Sequence, residues 1–301
     1  MKTKVLALSL LFFSLTSIAS AQSFKVLNHN SKVYRGGVVV VKIDDSLENK
    51  NLKLYIAGFN GLPTFNKNGL AYIGVDIRQE LGSRITYLVG DEDKDKQPEP
   101  HDFYKTYIEI LDKKFDDPWF RGPVKERSKK DLARRAKELD LLNDTYALIN
   151  ATIEEDLTAG PFIQPLEIIY PTDNFGTPRI WGNRNRKSKK ITVPHAGVDL
   201  RAKKPTPVMA INSGRVLLAK FLPGVRYGNT VIIDHGSGIL SMYLHLSKFK
   251  VKDGDIVKNG QIIALTGGTP SHLHFQVKIH NVDVDPLAFI DTFNRSLAEV
   301  K

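Results

Sequence analysis

Short alternating runs between turn residues are the feature that most limits how this chain can fold. In the first half they read SKVYRGGVVVVKI, NLKLYIAGF, AYIGVDI and SRITYLVG, and Gly, Pro, Asn and Asp separate them. In the last half the runs are VMAINSGRVLLAK, NTVIIDHG, LSMYLHL, QIIALTG and SHLHFQVKI. Alternation over four to eight residues indicates strands with one buried face. The sequence therefore predicts a mainly β protein, with an N-terminal β-sandwich and a second antiparallel sheet or sandwich.

One segment between the two β regions has a helical pattern instead. Apolar residues recur at steps of three and four from Ser128 to Leu157, at Leu132, Ala136, Leu139, Leu142, Tyr146, Ile149, Ile153 and Leu157. Ser128 with Asp131 three residues later resembles a capping box, which marks a helix start. We expect a helix that packs its apolar stripe on a domain and is broken near Asn143 and Asp144.

These patterns divide the chain into five parts. Residues 22–120 are expected to form an Ig-like β-sandwich module, 121–160 a helical connector, 161–291 the second β domain and 292–301 a C-terminal tail. Residues 1–21 have the pattern of a signal peptide, since Lys2 and Lys4 precede an uncharged apolar run that ends at Ala19-Ser20-Ala21. We therefore expect an exported protein, periplasmic or secreted, without stable membrane insertion after cleavage. An uncleaved anchoring helix is the alternative.

Composition limits which kinds of site are possible. The chain of 301 residues has no cysteine, so an exported form has no disulfides and any metal site must use His, Asp or Glu. The formal net charge of +10 favours polyanionic surroundings such as nucleic acid, anionic lipid or cell wall, and charge alone does not choose among them.

The histidines are unevenly distributed, and two of them stand one residue apart. Six of the eight lie in the last 107 residues. In SHLHF the strand period of two places His272 and His274 on one face, with their Cα atoms about 6.6 Å apart. Two imidazoles so placed can share a metal ion. Chance alternation on a strand face is the other interpretation.

A second segment offers partners for this pair. PHAGVDL places His195 and Asp199 four residues apart, about 13 Å on a straight strand. A bend at Gly197 would bring both onto one ion, whereas a plain His–Asp ion pair is the alternative. Together with His274 they make two imidazoles and one carboxylate, and three protein ligands are typical of catalytic zinc.

Further positions are less distinctive. Alternation in MYLHLS predicts Tyr243 and His245 on one strand face, with Met242, Leu244 and Leu246 on the other. His235 and His280, at a turn and a strand end, are expected to have surface roles. The basic segment 182–190, GNRNRKSKK, is interpreted as a solvated loop or as one wall of a cleft for an anionic substrate.

Five segments in this order resemble a known family. HAGVDL, YGNTVIIDHGSG, MYLHLS, KDGDIVKNGQIIALTG and SHLHF are similar to the catalytic domain of the lysostaphin/LytM-type zinc endopeptidases, from about Phe162 to Ile290. The resemblance implies an antiparallel β-sandwich with an open groove. It also implies zinc as cofactor, with His195, Asp199 and His274 as metal ligands and peptidoglycan peptides as substrate.

The resemblance extends to the reaction. His272 is expected to act as the general base and His245 as the oxyanion donor, although the two roles are interchangeable at this level, and Tyr243 is a candidate substrate contact. The expected partner is peptidoglycan, with no nucleic-acid partner. The turn GGTPS before the HxH strand is shorter than usual in the family, and NRNRKSKKITVP before His195 is unusual. Both departures bear on substrate choice.

Two functions compete at this point. The leading hypothesis is an exported zinc endopeptidase that cleaves peptidoglycan stem peptides or cross-links, as a D,D-endopeptidase. The alternative is a non-catalytic or latent wall-binding regulator of other peptidoglycan hydrolases. Family members that lost catalysis lack one or more of the five site positions, and here all five are present. Latency would require the N-terminal half or the helix to cover the groove.

Overall fold

The structure is a computed structural model of the chain. It describes residues 24–27, 31–43, 52–56, 69–90, 105–116, 121–122, 128–148, 156–181, 191–225, 227–267 and 271–299. The expected signal peptide (1–21) and the basic segment 182–190 lie outside the described residues, as do most of the turn before the HxH strand (268–270) and the polar segment 91–100.

Strands make up most of the described chain. In chain order the elements are β1 (Phe24–Val26), β2 (Lys32–Tyr34), β3 (Val38–Ile43), β4 (Leu52–Ile56), β5 (Leu70–Gly74), β6 (Gly82–Gly90), β7 (Lys105–Leu111), β8 (Arg121–Gly122), α1 (Lys129–Ala147), β9 (Pro171–Asp173), β10 (Pro178–Trp181), β11 (Ile191–Pro194), β12 (Val198–Arg201), β13 (Pro207–Met209), β14 (Gly214–Leu222), β15 (Gly228–Asp234), β16 (Ile239–Phe249), β17 (Ile256–Val257), β18 (Ile262–Thr266), β19 (His272–Ile279), β20 (Val282–Val284) and α2 (Pro286–Glu299). The mainly β fold is confirmed.

The N-terminal region consists of two facing sheets. One has the order β1-β3-β5 and the other β2-β7-β6-β4. Alternate residues of both sheets, among them Val39 and Val41 of β3 and Ile108 and Ile110 of β7, form one buried apolar cluster. Two sheets that share a core in this way form a sandwich.

The helix α1 begins where the capping pattern predicts. The Asp131 backbone N–H donates to Ser128 Oγ at 3.1 Å, which satisfies one free N–H of the first turn. The helix runs without interruption through Asn143 and Asp144, so the predicted break there is wrong. Only the later part of the stripe packs on the protein: Leu142 is buried, while Leu132 remains 52% exposed.

The C-terminal region is built around one large sheet, and β11, β10 and β8 form a separate small sheet. The main path of the large sheet is β17-β14-β15-β16-β19-β12-β9, and β13, β18 and β20 join it at the side. A long apolar cluster lies on one face, with Tyr243 of β16 and Phe275 of β19 fully buried in it. On the opposite face, Leu142 of α1 shares a smaller cluster with Met242 and Leu244. The strands β16 and β19 therefore separate two different environments.

The helix α2 joins the two regions. Its Phe293 stacks on Tyr72 of β5, with ring centroids 5.2 Å apart, and both belong to the long apolar cluster of the C-terminal sheet. Residues 292–299, expected to be a tail, thus continue a packed helix. The domain boundaries otherwise remain predictions. Over the described residues, no helix combines the length and apolar character needed to cross a membrane.

Candidate metal centre

Two of the predicted ligands face each other across one pair of strands. The antiparallel pairing of β12 with β19 places Asp199 opposite His274. Their neighbours Val198 and Phe275, also paired, point to the other face and are buried in the core. Because successive side chains alternate, burial of the apolar residues on one face directs the carboxylate and the imidazole to the other.

A close approach at Gly197 brings the third ligand to this pair. A Cβ at residue 197 would lie 2.3 Å from the Phe275 carbonyl oxygen and 3.0 Å from His274 Nε2, so only glycine fits there. The chain can therefore pass close against β19 between His195 and Asp199. His195 Nε2 lies 3.3 Å from Asp199 Oδ1, far less than the separation along a straight strand.

The three ligand atoms converge tightly. His195 Nε2 is 3.0 Å from His274 Nδ1, and His274 Nδ1 is 2.8 Å from Asp199 Oδ1. Four donors at 2.0–2.1 Å around a tetrahedral zinc ion lie about 3.3 Å apart, close to these separations. His195 Nδ1 lies 3.0 Å from the Asn174 carbonyl oxygen, which can only accept, so the proton sits on Nδ1 and Nε2 has a lone pair. The donor set fits a metal ion.

Burial and hydrogen bonding keep the ligands in metal-binding protonation states. Burial lowers the pKa of His274, so its imidazole is neutral. Burial alone would raise the pKa of Asp199, but the adjoining imidazoles of His195 and His274 hold this pKa well below its usual range. Neutral imidazoles and an ionised carboxylate are the forms that bind metals.

His245 reaches the site through a β-bulge. Between the pairs Asn229↔Leu246 and Val231↔Tyr243, two residues of β16 oppose one of β15. His245 has φ +62°, a left-handed conformation that residues other than glycine seldom adopt, and such strain is concentrated at functional positions. Its ring centroid lies 4.9 Å from that of His272 and 6.1 Å from that of His274. Burial lowers the pKa of His245 to about 4, so the ring is neutral.

His272 occupies the rim of the same site. It precedes His274 by two residues on one face of β19, and its Nε2 lies 3.9 Å from Asp199 Oδ1. Its side chain retains 23% exposure, compared with 9% for His274. The ring thus lies beside the convergent ligand atoms and remains partly exposed to solvent.

The bulge corrects the expected faces of MYLHLS. Beyond it the alternation is reset, so Leu246 joins Tyr243 in the long apolar cluster instead of Met242 and Leu244. Tyr243 is 0% exposed and its hydroxyl accepts from the Ile211 backbone N–H at 2.9 Å. The structure places Tyr243 in the core, away from any substrate, which contradicts its expected role as a substrate contact.

The expectation of a surface role for His235 is also wrong. The residue is 0% exposed, with Nδ1 2.8 Å from the Ser213 carbonyl oxygen and Nε2 2.8 Å from Ser241 Oγ. Both nitrogens thus have a partner in a buried network. His280 lies at the end of β19 as expected, but it is half-buried and hydrogen-bonded to the backbone of Tyr72.

Two charged residues of the site were missed in the sequence. Arg179 Nη2 lies 2.6 Å from Asp173 Oδ2 and 2.9 Å from Asp199 Oδ2. Asp173 pairs with Asp199 in the register of β9 with β12. The sequence signal was a carboxylate and a guanidinium on either side of the turn NFGT, where a buried charge pair would join two short strands.

Comparison with known proteins gives the class of this domain. Residues 193–286 match the model of peptidase family M23. The chain therefore contains an M23 peptidase domain, as the resemblance to the lysostaphin/LytM type predicted.

Individual relatives cover only part of each protein. The chain is 36% identical over 125 residues to the peptidoglycan DD-endopeptidase ShyB of Vibrio cholerae, which is 39% of this chain and 29% of that relative. It is 35% identical over 98 residues to the DD-carboxypeptidase/endopeptidase Mpg of Neisseria meningitidis, 31% of this chain and 22% of the relative. The chain thus spans less than a third of the length of these relatives.

A solved structure shares the overall fold. The crystal structure of an M23 peptidase from Pseudomonas aeruginosa aligns with a TM-score of 0.52 and 22% identity, over 86% of this chain and 96% of that one. The similarity extends beyond the matched peptidase domain into the N-terminal region. At this identity it shows a common fold.

Proposed function

We propose that this chain is an exported zinc-dependent endopeptidase that hydrolyses peptide bonds in peptidoglycan stem peptides or cross-links, as a D,D-endopeptidase. The observation that carries the proposal is the convergence of His195, Asp199 and His274, with ligand atoms all within 4.8 Å of one another. Two more imidazoles, His245 and His272, border the same point. The printed names of the relatives support peptidoglycan as the substrate.

Each residue has a role that follows from its position. His195, Asp199 and His274 would hold zinc and leave one tetrahedral position open. When bound, zinc would polarise a peptide carbonyl and lower the pKa of water to near 7. His272, at the exposed rim, would take the proton from the attacking water and return it to the leaving amine. His245, neutral with one N–H, would donate to the carbonyl oxygen as negative charge develops there.

The non-catalytic alternative is disfavoured by the site itself. A binding module needs neither the strained His245 nor a neutral imidazole beside three convergent ligands.

The latent alternative has one supporting observation: α1 packs on the sheet face that bears the histidines, where Tyr146 Oη lies 3.6 Å from Met242 Sδ. Loosening α1 in the full chain with Tyr146→Ala should raise peptidoglycan hydrolysis if the helix inhibits. Unchanged hydrolysis by the folded variant would contradict latency.

The main experiment uses purified sacculi. Zinc-loaded protein and its His274→Ala variant are incubated with sacculi, and released fragments are identified by mass spectrometry. We expect muropeptides from the wild type only, with masses that identify the bond cleaved. Zinc-bound wild type that releases no fragment would refute the enzyme proposal. The control is Tyr243→Phe, a core substitution that leaves the five site residues intact.

A further inference from the structure

We propose that Asp173 and Arg179 form a positioning pair that orients two of the three metal ligands, His195 and Asp199, at the same time. The inference rests on the metal site of the proposed function but not on its substrate. Arg179 contacts Asp199, and Asp173 contacts His195. Their effect would pass through the ligands they contact.

One guanidinium bridges two carboxylates. Arg179 donates from Nε at 3.1 Å and Nη2 at 2.6 Å to Asp173 Oδ2, and from Nη2 at 2.9 Å to Asp199 Oδ2. With Oδ2 of Asp199 held by the guanidinium, Oδ1 is the oxygen left facing His195 and His274. The bridge therefore selects which carboxylate oxygen is offered to the ion.

The same short turn fixes the first imidazole. His195 Nδ1 lies 3.0 Å from the Asn174 carbonyl oxygen and 3.3 Å from Asp173 Oδ2. The backbone locks this arrangement, since Gly176 N–H donates to the His195 carbonyl and His195 N–H to the Thr177 carbonyl. The proton is thus held on Nδ1 and the lone pair of Nε2 is aimed at the other two ligands. Partners of this kind typically change metal affinity 10- to 100-fold.

Burial indicates that the pair is not an ordinary surface ion pair. The side chain of Asp173 is 1% exposed, and within the described part of the chain its Oδ1 has no hydrogen-bond partner. A buried carboxylate with one unsatisfied oxygen is unfavourable for stability. The orientation that this carboxylate gives to the metal ligands would offset that cost.

If the pair acts through its charge alone, the variants should differ in zinc affinity from those expected if it acts by orienting the ligands. The proposal can therefore be tested. Asp173→Asn removes a negative charge and weakens the contacts to Arg179 and His195, so both effects weaken zinc binding. The double variant Asp173→Asn/Arg179→Gln has the same net charge as the wild type but lacks the bridge. If orientation matters, the double variant should still bind zinc about 10-fold or more weakly.

The measurement is zinc affinity of the full chain by chelator competition, with the absorption spectrum of the cobalt-substituted protein as a second readout of ligand geometry. Arg201→Gln is the matched control, because Arg201 lies two residues from Asp199 on β12 and its guanidinium stacks on Tyr170, 4.4 Å from the ring centroid. This control should keep wild-type affinity within about threefold and an unchanged cobalt spectrum, whereas both Asp173 variants should alter that spectrum.

Wild-type zinc affinity in the folded double variant would overturn the proposal. Near-ultraviolet circular dichroism of the metal-free proteins identifies any variant that fails to fold. For that case Arg179→Lys keeps the charge but not the planar fork, so it should weaken binding by an intermediate factor, and unchanged affinity in it would also overturn the proposal. None of these measurements uses peptidoglycan. Wild type that binds zinc without cleaving sacculi would refute the proposed function and leave this inference intact.

Discussion

Buried histidines of the C-terminal region form two sets with opposite arrangements. Each nitrogen of His235 has its own partner, the Ser213 carbonyl or Ser241 Oγ, both at 2.8 Å. By contrast, Nε2 of His195 and Nδ1 of His274 point at each other across 3.0 Å, with a carboxylate oxygen beside them. Both sets are buried, so burial does not distinguish them. The difference is that the second arrangement has lone pairs that need a proton or a cation between them.

The environment of His235 explains why it is inert. Its ring packs edge-on against Phe162, with centroids 5.4 Å apart, and burial lowers its pKa to about 4. The network continues through Ser241 to Tyr243 Oη, 3.0 Å away. Every polar atom of this group is matched inside the protein, so none is available to a ligand.

The largest expected effect separates the two sets by metal affinity. His195→Ala should weaken zinc binding more than about 100-fold, since loss of an outer-shell partner alone often costs 10- to 100-fold. His235→Ala should leave affinity within about threefold, because its nitrogens contact no ligand. Chelator competition measures both. Equal losses of zinc affinity in the two variants would show that His195 is no more a ligand than His235.

The second effect is the pH dependence of stability. The pKa of folded His235 is about 4, below its unfolded value near 6.5, so the unfolded state binds more protons between these values. Stability is therefore full above about pH 6.5 and is lost as pH falls towards 4. From pH 7 to 5 this residue should account for about 2 kcal/mol.

Urea denaturation at both pH values tests this. His235→Gln should show a smaller fall in the free energy of unfolding than the wild type does. The remaining fall reports His280, whose pKa is likewise lowered to about 4 by burial, and the other titrating groups. A fall as large as that of the wild type would contradict the burial of a neutral imidazole at His235.

A somewhat smaller effect tests the position of Tyr243. Tyr243→Phe leaves the buried Ile211 N–H without its acceptor and should lower the free energy of unfolding by about 1–2 kcal/mol. Hydrolysis of sacculi at a temperature where the variant is folded should be unchanged. Reduced hydrolysis with unchanged stability would place Tyr243 at the substrate after all.

The smallest effect concerns another histidine, His280, which fits neither set. It has φ +46° and a hydrogen bond to the Tyr72 backbone, at the contact between the two regions. Asn tolerates this backbone conformation, so His280→Asn should cost only about 1 kcal/mol and leave zinc affinity unchanged. Thermal unfolding with and without zinc measures both quantities.

Sequence reasoning succeeded where a local rule applied. The strand period placed His272 and His274 on one face, Gly197 marked the bend, and Ser128 marked the helix start. It failed at the strand face of His245 because a bulge resets the period, and MYLHLS alone does not reveal a bulge that appears only in the pairing of β16 with β15. It failed at His235 and Tyr243 because burial of polar groups depends on partners distant in sequence, such as Ser213 and Ile211.

Asp173 and Arg179 illustrate the same limit at the site. Their charges are visible in the sequence, but their role at the site depends on the pairing of β9 with β12, which brings Asp173 beside Asp199. That pairing joins segments separated by a turn and another hairpin. The sequence of one strand cannot specify its neighbour.

The pairing of Asp199 with His274 has a consequence for metal supply. Because backbone hydrogen bonds between β12 and β19 hold these two ligands opposite each other, the fold itself sets their separation. Capture of zinc would then require little rearrangement, unlike in small domains that fold only around their metal. Where zinc is scarce, folded metal-free molecules would accumulate as a reserve, and under the proposed function the supply of the ion would set the rate of hydrolysis.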